Sequence, residues 1–263
     1  MSYKAIIYDK RQQIGYITLN RPEVANAIDM QMALELVDAC HQVNQDESIK
    51  VVIITGSGDE AFCSGEDLGQ LYHSLSRGAS LEVKEPTLLY EATASVAAIN
   101  HPVIAAINGD ALGAGLALAL SCDLRIASDK SRLGVPDTAW GYISAGGATQ
   151  WLPRTVGRGK ALEMILTAEP VDAQQAHRIG LVHQVVPHQE VILKAEEVAM
   201  RIASRAPIAL RYAKEAIRKG LDLTLEQGLR LEYDLYLVLQ TTRDRTEGIT
   251  AFLEKRPPQF KGE

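Results

Sequence analysis

Apolar and polar residues alternate over Ala5–Tyr8 and again over Gly15–Leu19, with the polar stretch Asp9–Gln13 between them, which predicts a β-hairpin. The period then changes. Met32, Leu36, Val37 and Cys40 recur at helical spacing behind Asp29, a natural N-cap, and the pattern stops before the unbroken apolar run Val51–Thr55. The same alternation continues with a helix over 86–99, a buried strand over Val103–Ile107, a helix over 113–121 and a strand over Leu124–Ala127. Strands that are apolar on both faces and separated by helices predict an α/β chain built on a parallel sheet. Val103–Leu120 is weakly polar throughout, but Asn108, Gly109 and Asp110 divide it, so it reads as strand, turn and helix rather than a membrane span.

Beyond residue 159 the pattern is helical: Lys160–Thr167, Ala173–Ile179, Glu190–Ser204, Ile208–Lys219 and Thr224–Gln240 all fit, with one strand over Val182–Val186. Ala206–Pro207 breaks the chain, which divides it into a core over 1–204 and a helical region over 205–263. The charged and apolar stripes of those last helices suit either subunit packing or a solvated tail.

Composition narrows the functional classes. A chain of 263 residues can bury a large interior, and a net charge of −6 argues against a nucleic-acid partner. The three cysteines lack CxxC spacing and are odd in number, and MSYKAIIYDK has no continuous apolar stretch, so a reducing, cytoplasmic location is expected. Histidines and cysteines show no metal-ligand spacing, and neither a Walker sequence nor a G-x-S-x-G elbow occurs, so no metal or redox cofactor is expected.

Two turns carry candidate chemistry. Ala61-Phe62-Cys63-Ser64-Gly65-Glu66-Asp67-Leu68 and Asn108-Gly109-Asp110-Ala111-Leu112-Gly113-Ala114-Gly115 both follow apolar runs and stand where a helix should begin. Small residues let backbone N–H groups approach a ligand, and a helix start adds unsatisfied donors at a positive dipole end. Two such turns facing one another would form an oxyanion hole, although each alone also fits tight packing. The second turn spaces its glycines GxxxGxG, which is not the dinucleotide-binding pattern.

AFCSGEDL, HPVIAAINGDALGAGLALALSCDLRIA, GGATQWLPRTVG, AHRIGLVHQVV and EGITAFLEKRPPQF, in that order and spread over the whole chain, resemble the crotonase family, also called the enoyl-CoA hydratase/isomerase family. The resemblance implies a crotonase-type spiral of ββα units with a C-terminal helical trimerisation region, assembled as a homotrimer or a dimer of trimers. It implies an acyl-CoA substrate, with coenzyme A present only as part of that substrate. The family's oxyanion donors fall on the backbone N–H groups of Glu66 and Ala114, and Gly113 lies in the same turn. Ser64, Gly65, Asp67 and Leu68 fall along the coenzyme A path. Arg21 and Lys261 are candidates for its phosphates and equally for ordinary surface charges.

The carboxylates depart from the hydratase pattern. Hydratases of the family place one glutamate in the helix after the second oxyanion turn and another further along. Here those positions hold Ala117 and Asp137, the latter in Gly134-Val135-Pro136-Asp137-Thr138-Ala139-Trp140-Gly141. One carboxylate resembles the isomerase arrangement, in which a single base moves a proton across a dienolate. Enclosure of Asp137 by Trp140 and Leu133 is expected to raise its pKa, while an N-cap role after Pro136 is the competing structural reading. Glu66 fits a second acid or a solvent-facing turn. Tyr142 and Ser144 fit groups that orient water or a ring substrate, or packing residues. Isomerase or hydratase-type chemistry leads; hydration of a cyclic or dienoyl-CoA, C–C hydrolysis of a β-keto thioester, and a non-catalytic acyl-CoA-binding homologue remain open.

Overall fold

In the computed structural model, which describes residues 3–76 and 84–263, the hairpin forms as expected. Strand β1 (Ile6–Arg11) pairs antiparallel with β2 (Ile14–Leu19), Ile6 opposite Leu19. Helix α1 (Met30–Gln45) begins where the Asp29 carboxylate accepts the Met32 N–H at 2.7 Å, and it buries Met32, Leu36, Cys40 and Val43. The chain then enters β3 (Val51–Gly56), buried along its whole length.

From β3 onward a unit recurs: a strand in a large sheet, a corner, a short strand in a second sheet, then helix or turn. Strand β3 is followed by β4 (Ala61–Cys63) and the helices α2 (Leu68–Ser76) and α3 (Lys84–Ala97). Strand β5 (Val103–Ile107) is followed by β6 (Asp110–Leu112) and α4 (Ala114–Ser121). Strand β7 (Leu124–Ser128) is followed by β8 (Arg132–Gly134) and a 3₁₀ turn over Pro136–Trp140. With β9 (Val171–Asp172) and β10 (Gln184–Val186), the large sheet runs β1-β2-β3-β5-β7-β10 and the small one β4-β6-β8-β9. Every pairing except β1/β2 and β8/β9 is parallel. The small sheet is the part that periodicity did not predict. Helix α4 nearly touches strand β4 at Gly115, where a Cβ would fall 2.1 Å from the Cys63 carbonyl oxygen, so only glycine fits.

Helices α5 (Ala148–Val156), α6 (Arg158–Thr167) and α7 (Ala173–Arg178) precede α8 (Val191–Ala203), which lays Val191, Ala195 and Val198 over Ile53, Ile104 and Ile126 of the large sheet. The C-terminal region holds α9 (Pro207–Gly220), α10 (Leu225–Leu239) and α11 (Arg243–Leu253). A buried ammonium anchors α9: Lys214 Nζ lies 2.6 Å from Asp123 Oδ2 and 2.8 Å from the His101 carbonyl oxygen. Asp123, at the corner between α4 and β7, accepts the Val103 N–H in addition to this ion pair. Neither α9 nor α10 buries a side chain fully, and Leu225, Leu229, Tyr233 and Leu237 form an exposed apolar stripe at four-residue spacing. The helices predicted over 190–204, 208–219 and 224–240 are present, whereas the strand predicted over 182–186 shortens to β10. All three cysteines are buried and unpaired, and among the described residues no helix is long and apolar enough to cross a membrane.

Candidate active site

Three turns leave the C-terminal ends of three neighbouring parallel strands: Ser64-Gly65-Glu66 after β4, Gly113-Ala114 after β6, and Val135-Pro136-Asp137 after β8. Cys63 pairs with Ala111, and Ala111 with Leu133, so the three turns emerge side by side at one end of the small sheet, the end at which parallel sheets gather ligands. The first two turns meet. A Cβ at Gly65 would lie 3.5 Å from the Ala114 nitrogen and 3.0 Å from the Leu112 oxygen. Ala114 is the first residue of α4, so no carbonyl of its own helix can accept its N–H, and that amide stands at the positive helix end. The Glu66 turn is clamped on both sides: the Ile28 N–H donates to the Gly65 carbonyl at 2.7 Å, and the Asp67 N–H to the Ile28 carbonyl at 3.0 Å.

The third turn brings Asp137 against the second. Gly113 has φ +52° and ψ −121°, and a Cβ there would sit 3.1 Å from Asp137 Oδ2 and 3.3 Å from Oδ1. Asp137 is only 4% exposed, its Oδ2 has no hydrogen-bond partner within the protein, and burial pushes its carboxyl above the ordinary value. It is not a helix cap, since the N-cap position of the 3₁₀ turn is Val135, without a side-chain cap. Burial, together with the negative charges of Asp137 and Glu66, pushes the half-buried Tyr142 phenol up to about 12, so it remains a proton-bearing donor near both carboxylates.

The expected enclosure by Trp140 does not occur within one chain. Leu133 is fully buried, but Trp140 closes the 3₁₀ turn with 66% of its surface exposed, and Ile143 is equally open. The first turn of α4 is covered by Gly146, whose Cβ would lie 3.0 Å from the Ala117 methyl and 3.8 Å from the Ala114 Cα. Sequence reading missed Gly146, although the Gly146-Gly147 doublet marks a place of close approach. Ser144, in the same loop, is buried, and its hydroxyl oxygen has no partner within the protein.

Of the remaining predicted residues, Ser64 donates its N–H to the Ala25 carbonyl at 3.0 Å, and Leu68 opens α2 half-exposed. The Asp67 carboxylate is occupied structurally: it accepts the Gly69 and Gln70 N–H groups and pairs with Arg21 at 3.0 Å. Arg21 also contacts Asp29 at 3.3 Å and donates to the Ala27 carbonyl, so this guanidinium stitches turns together. Lys261 lies in the tail beyond α11, its amide donating to Asp244. A groove beside Glu66 is lined by Ile28, Met30, Ala33, Leu71 and Leu89. Among the described residues, no group of three His, Cys, Asp or Glu side chains is placed to hold a metal ion.

The profile of the enoyl-CoA hydratase/isomerase family matches residues 9–263. The chain belongs to this family. It is 37% identical over 261 residues to the crotonyl-CoA hydratase of Syntrophomonas wolfei, covering 99% of each chain, and 39% identical over 257 residues to the 2,3-dehydroadipyl-CoA hydratase of Escherichia coli, covering 98% of each. Its structure superposes on that of an enoyl-CoA hydratase from Bacillus anthracis with a TM-score of 0.93 at 40% identity, over 99% of this chain and all of the other. The two-sheet spiral is therefore the crotonase fold. Within this hydratase/isomerase chain, the fully buried methyl of Ala117 offers no carboxylate, which leaves Asp137 as the acid nearest the Gly113-Ala114 turn of those placed by the contacts above.

Proposed function

We propose that this protein forms and discharges a thioester enolate from an enoyl-CoA, as an isomerase or hydratase with one proton-carrying carboxylate. The observation that carries this reading is the buried Asp137 carboxylate, unpartnered at Oδ2 and resting on Gly113 beside the Ala114 amide. The thioester oxygen accepts hydrogen bonds from the Glu66 and Ala114 N–H groups, where the negative charge of the enolate accumulates. Each such donor stabilises the transition state by about 3 kcal/mol. Asp137 takes a proton from carbon, holds it as a neutral acid that burial favours, and returns it to the conjugated system. For isomerisation the proton leaves one carbon and arrives at another. For hydration, water adds its oxygen to Cβ, its proton passes to Asp137, and Asp137 delivers that proton to Cα.

Ser64, Gly65, Asp67 and Leu68 act here through their backbone and surface as the coenzyme A path, Trp140 and Tyr142 border the acyl group, and the groove beside Glu66 receives apolar chain. No cofactor is used beyond the coenzyme A of the substrate. The exposed stripe on α10 supports an oligomerisation region over 205–263 beside a catalytic core over 1–204. The assembly we propose is a homotrimer or a dimer of trimers, in the cytoplasm. The test is deuterium exchange. Wild type should exchange the α-proton of butyryl-CoA in D₂O and Asp137→Asn should not; full exchange by that variant would refute the role given to Asp137.

A further inference from the structure

Among the described residues, two buried side-chain atoms lack a hydrogen-bond partner: Asp137 Oδ2 and Ser144 Oγ. Natively folded proteins leave few such atoms, and those that occur call for a ligand, a water or a catalytic role. The reading above accounts for Asp137 and leaves Ser144 unexplained. Ser144 is 5% exposed, so bulk solvent does not serve its hydroxyl. Its loop returns to the site at both ends: the Tyr142 N–H donates to the Asp137 carbonyl at 3.4 Å, and Gly146 packs onto Ala117 and Ala114. Ser144 thus belongs to the segment that covers the first turn of α4, over a residue whose methyl leaves nothing there to hold water. A hydroxyl offers one donor and two acceptor sites, which is sufficient to fix one water molecule.

We propose that Ser144 is a positioning residue that holds the attacking water in the site, in place of a second carboxylate. The proposal rests on the reading of Asp137 as the proton carrier. The Ser144 oxygen accepts one hydrogen of the water, whose other hydrogen faces Asp137. The water oxygen bonds to Cβ of a 2-enoyl-CoA, the π-electrons move to the thioester oxygen, the released proton goes to Asp137, and Asp137 protonates Cα to give the 3-hydroxyacyl-CoA. Ser144 itself neither gains nor loses a proton. Its hydroxyl therefore matters for hydration and not for proton exchange at carbon.

The two reactions separate the two roles. On the intact protein, Ser144→Ala should lower the rate of crotonyl-CoA hydration by about tenfold, the scale of one lost hydrogen bond, while α-deuteration of butyryl-CoA in D₂O stays within twofold of wild type. Ser144→Thr, which restores a hydroxyl, should recover hydration. Hydration by Ser144→Ala within twofold of wild type would overturn the proposal, as would a parallel loss of hydration and exchange, which indicates damaged packing. Absence of hydration in the wild type while exchange proceeds would overturn it as well. Loss of exchange in Asp137→Asn is read independently, so failure of the Ser144 role and failure of the Asp137 role give different results.

Discussion

Replacing Gly113 by alanine tests how the second and third turns are held together. Its backbone angles, φ +52° and ψ −121°, are ones an L-residue adopts only under strain, at a cost of about 1–3 kcal/mol. The added methyl would also stand 3.1 and 3.3 Å from the two Asp137 oxygens, inside ordinary contact. The carboxylate sits on a short 3₁₀ turn and has no protein partner at Oδ2 to resist movement, so it yields by a few tenths of an ångström. At about a hundredfold in rate per ångström, that shift lowers α-proton exchange roughly five- to tenfold. Stability should fall by about 2 kcal/mol, or roughly 4–8 °C in Tm for a chain of this size. Exchange of butyryl-CoA measured by mass spectrometry, together with urea unfolding, reads both effects. Gly159→Ala is the control: no atom lies within 4 Å of its Cβ position in α6, so activity should be unchanged and stability should rise by roughly 0.5 kcal/mol. A Gly113→Ala protein with wild-type exchange and wild-type stability would show that Asp137 does not rest on Gly113.

Three further outcomes are expected. Asp137 must be ionised to act as a base and its pKa is raised, so the acid limb of the pH–rate profile should lie above the ordinary carboxylate value of 3.8, and a midpoint at or below it would contradict the buried site. By linkage, a group whose folded pKa is raised contributes stability that is complete below its unfolded value and lost as pH rises through the folded one, so in urea unfolding Asp137→Asn should gain stability relative to wild type as pH rises above the ordinary carboxylate value of 3.8, and a difference independent of pH would contradict the raised pKa. Lys214→Met leaves the Asp123 carboxylate partly buried without its cation and should cost about 3 kcal/mol in urea unfolding, partly recovered in the double variant with Asp123→Asn; a neutral single variant would show that the pair does not anchor α9. If the α10 stripe packs subunits as proposed, Leu229→Glu, which places a charge within it, should lower the mass measured by size-exclusion chromatography with light scattering to that of a monomer, and an unchanged mass would rule that face out as an interface.

What was legible in the sequence had a local cause. The Asp29 cap, the hairpin and the helix starts at Leu68 and Ala114 follow from side chains within a few positions of one another. Strands β4, β6 and β8 hold three residues each, too short for a period to register, and they exist because stacked repeats supply their hydrogen bonds. Trp140 shows the limit of such local reasoning: an aromatic residue three positions from Asp137 suggests shelter, and a 3₁₀ turn aligns the two positions, yet Trp140 is the last residue of the turn before Gly141 and stays open while Asp137 is buried. The Gly146 contact with Ala117 joins residues far apart along the chain, and no local pattern encodes it.

Because the two amide-bearing bends and the acid-bearing bend leave successive rungs of one hydrogen-bonded ladder, the distances among them are inherited from main-chain pairing of adjacent strands, about 4.8 Å apart. Side chains on those bends can then change over evolutionary time without moving the frame that spaces them. A substitution such as alanine at position 117 can therefore alter what the site does chemically, and the scaffold does not have to be rebuilt to accommodate it.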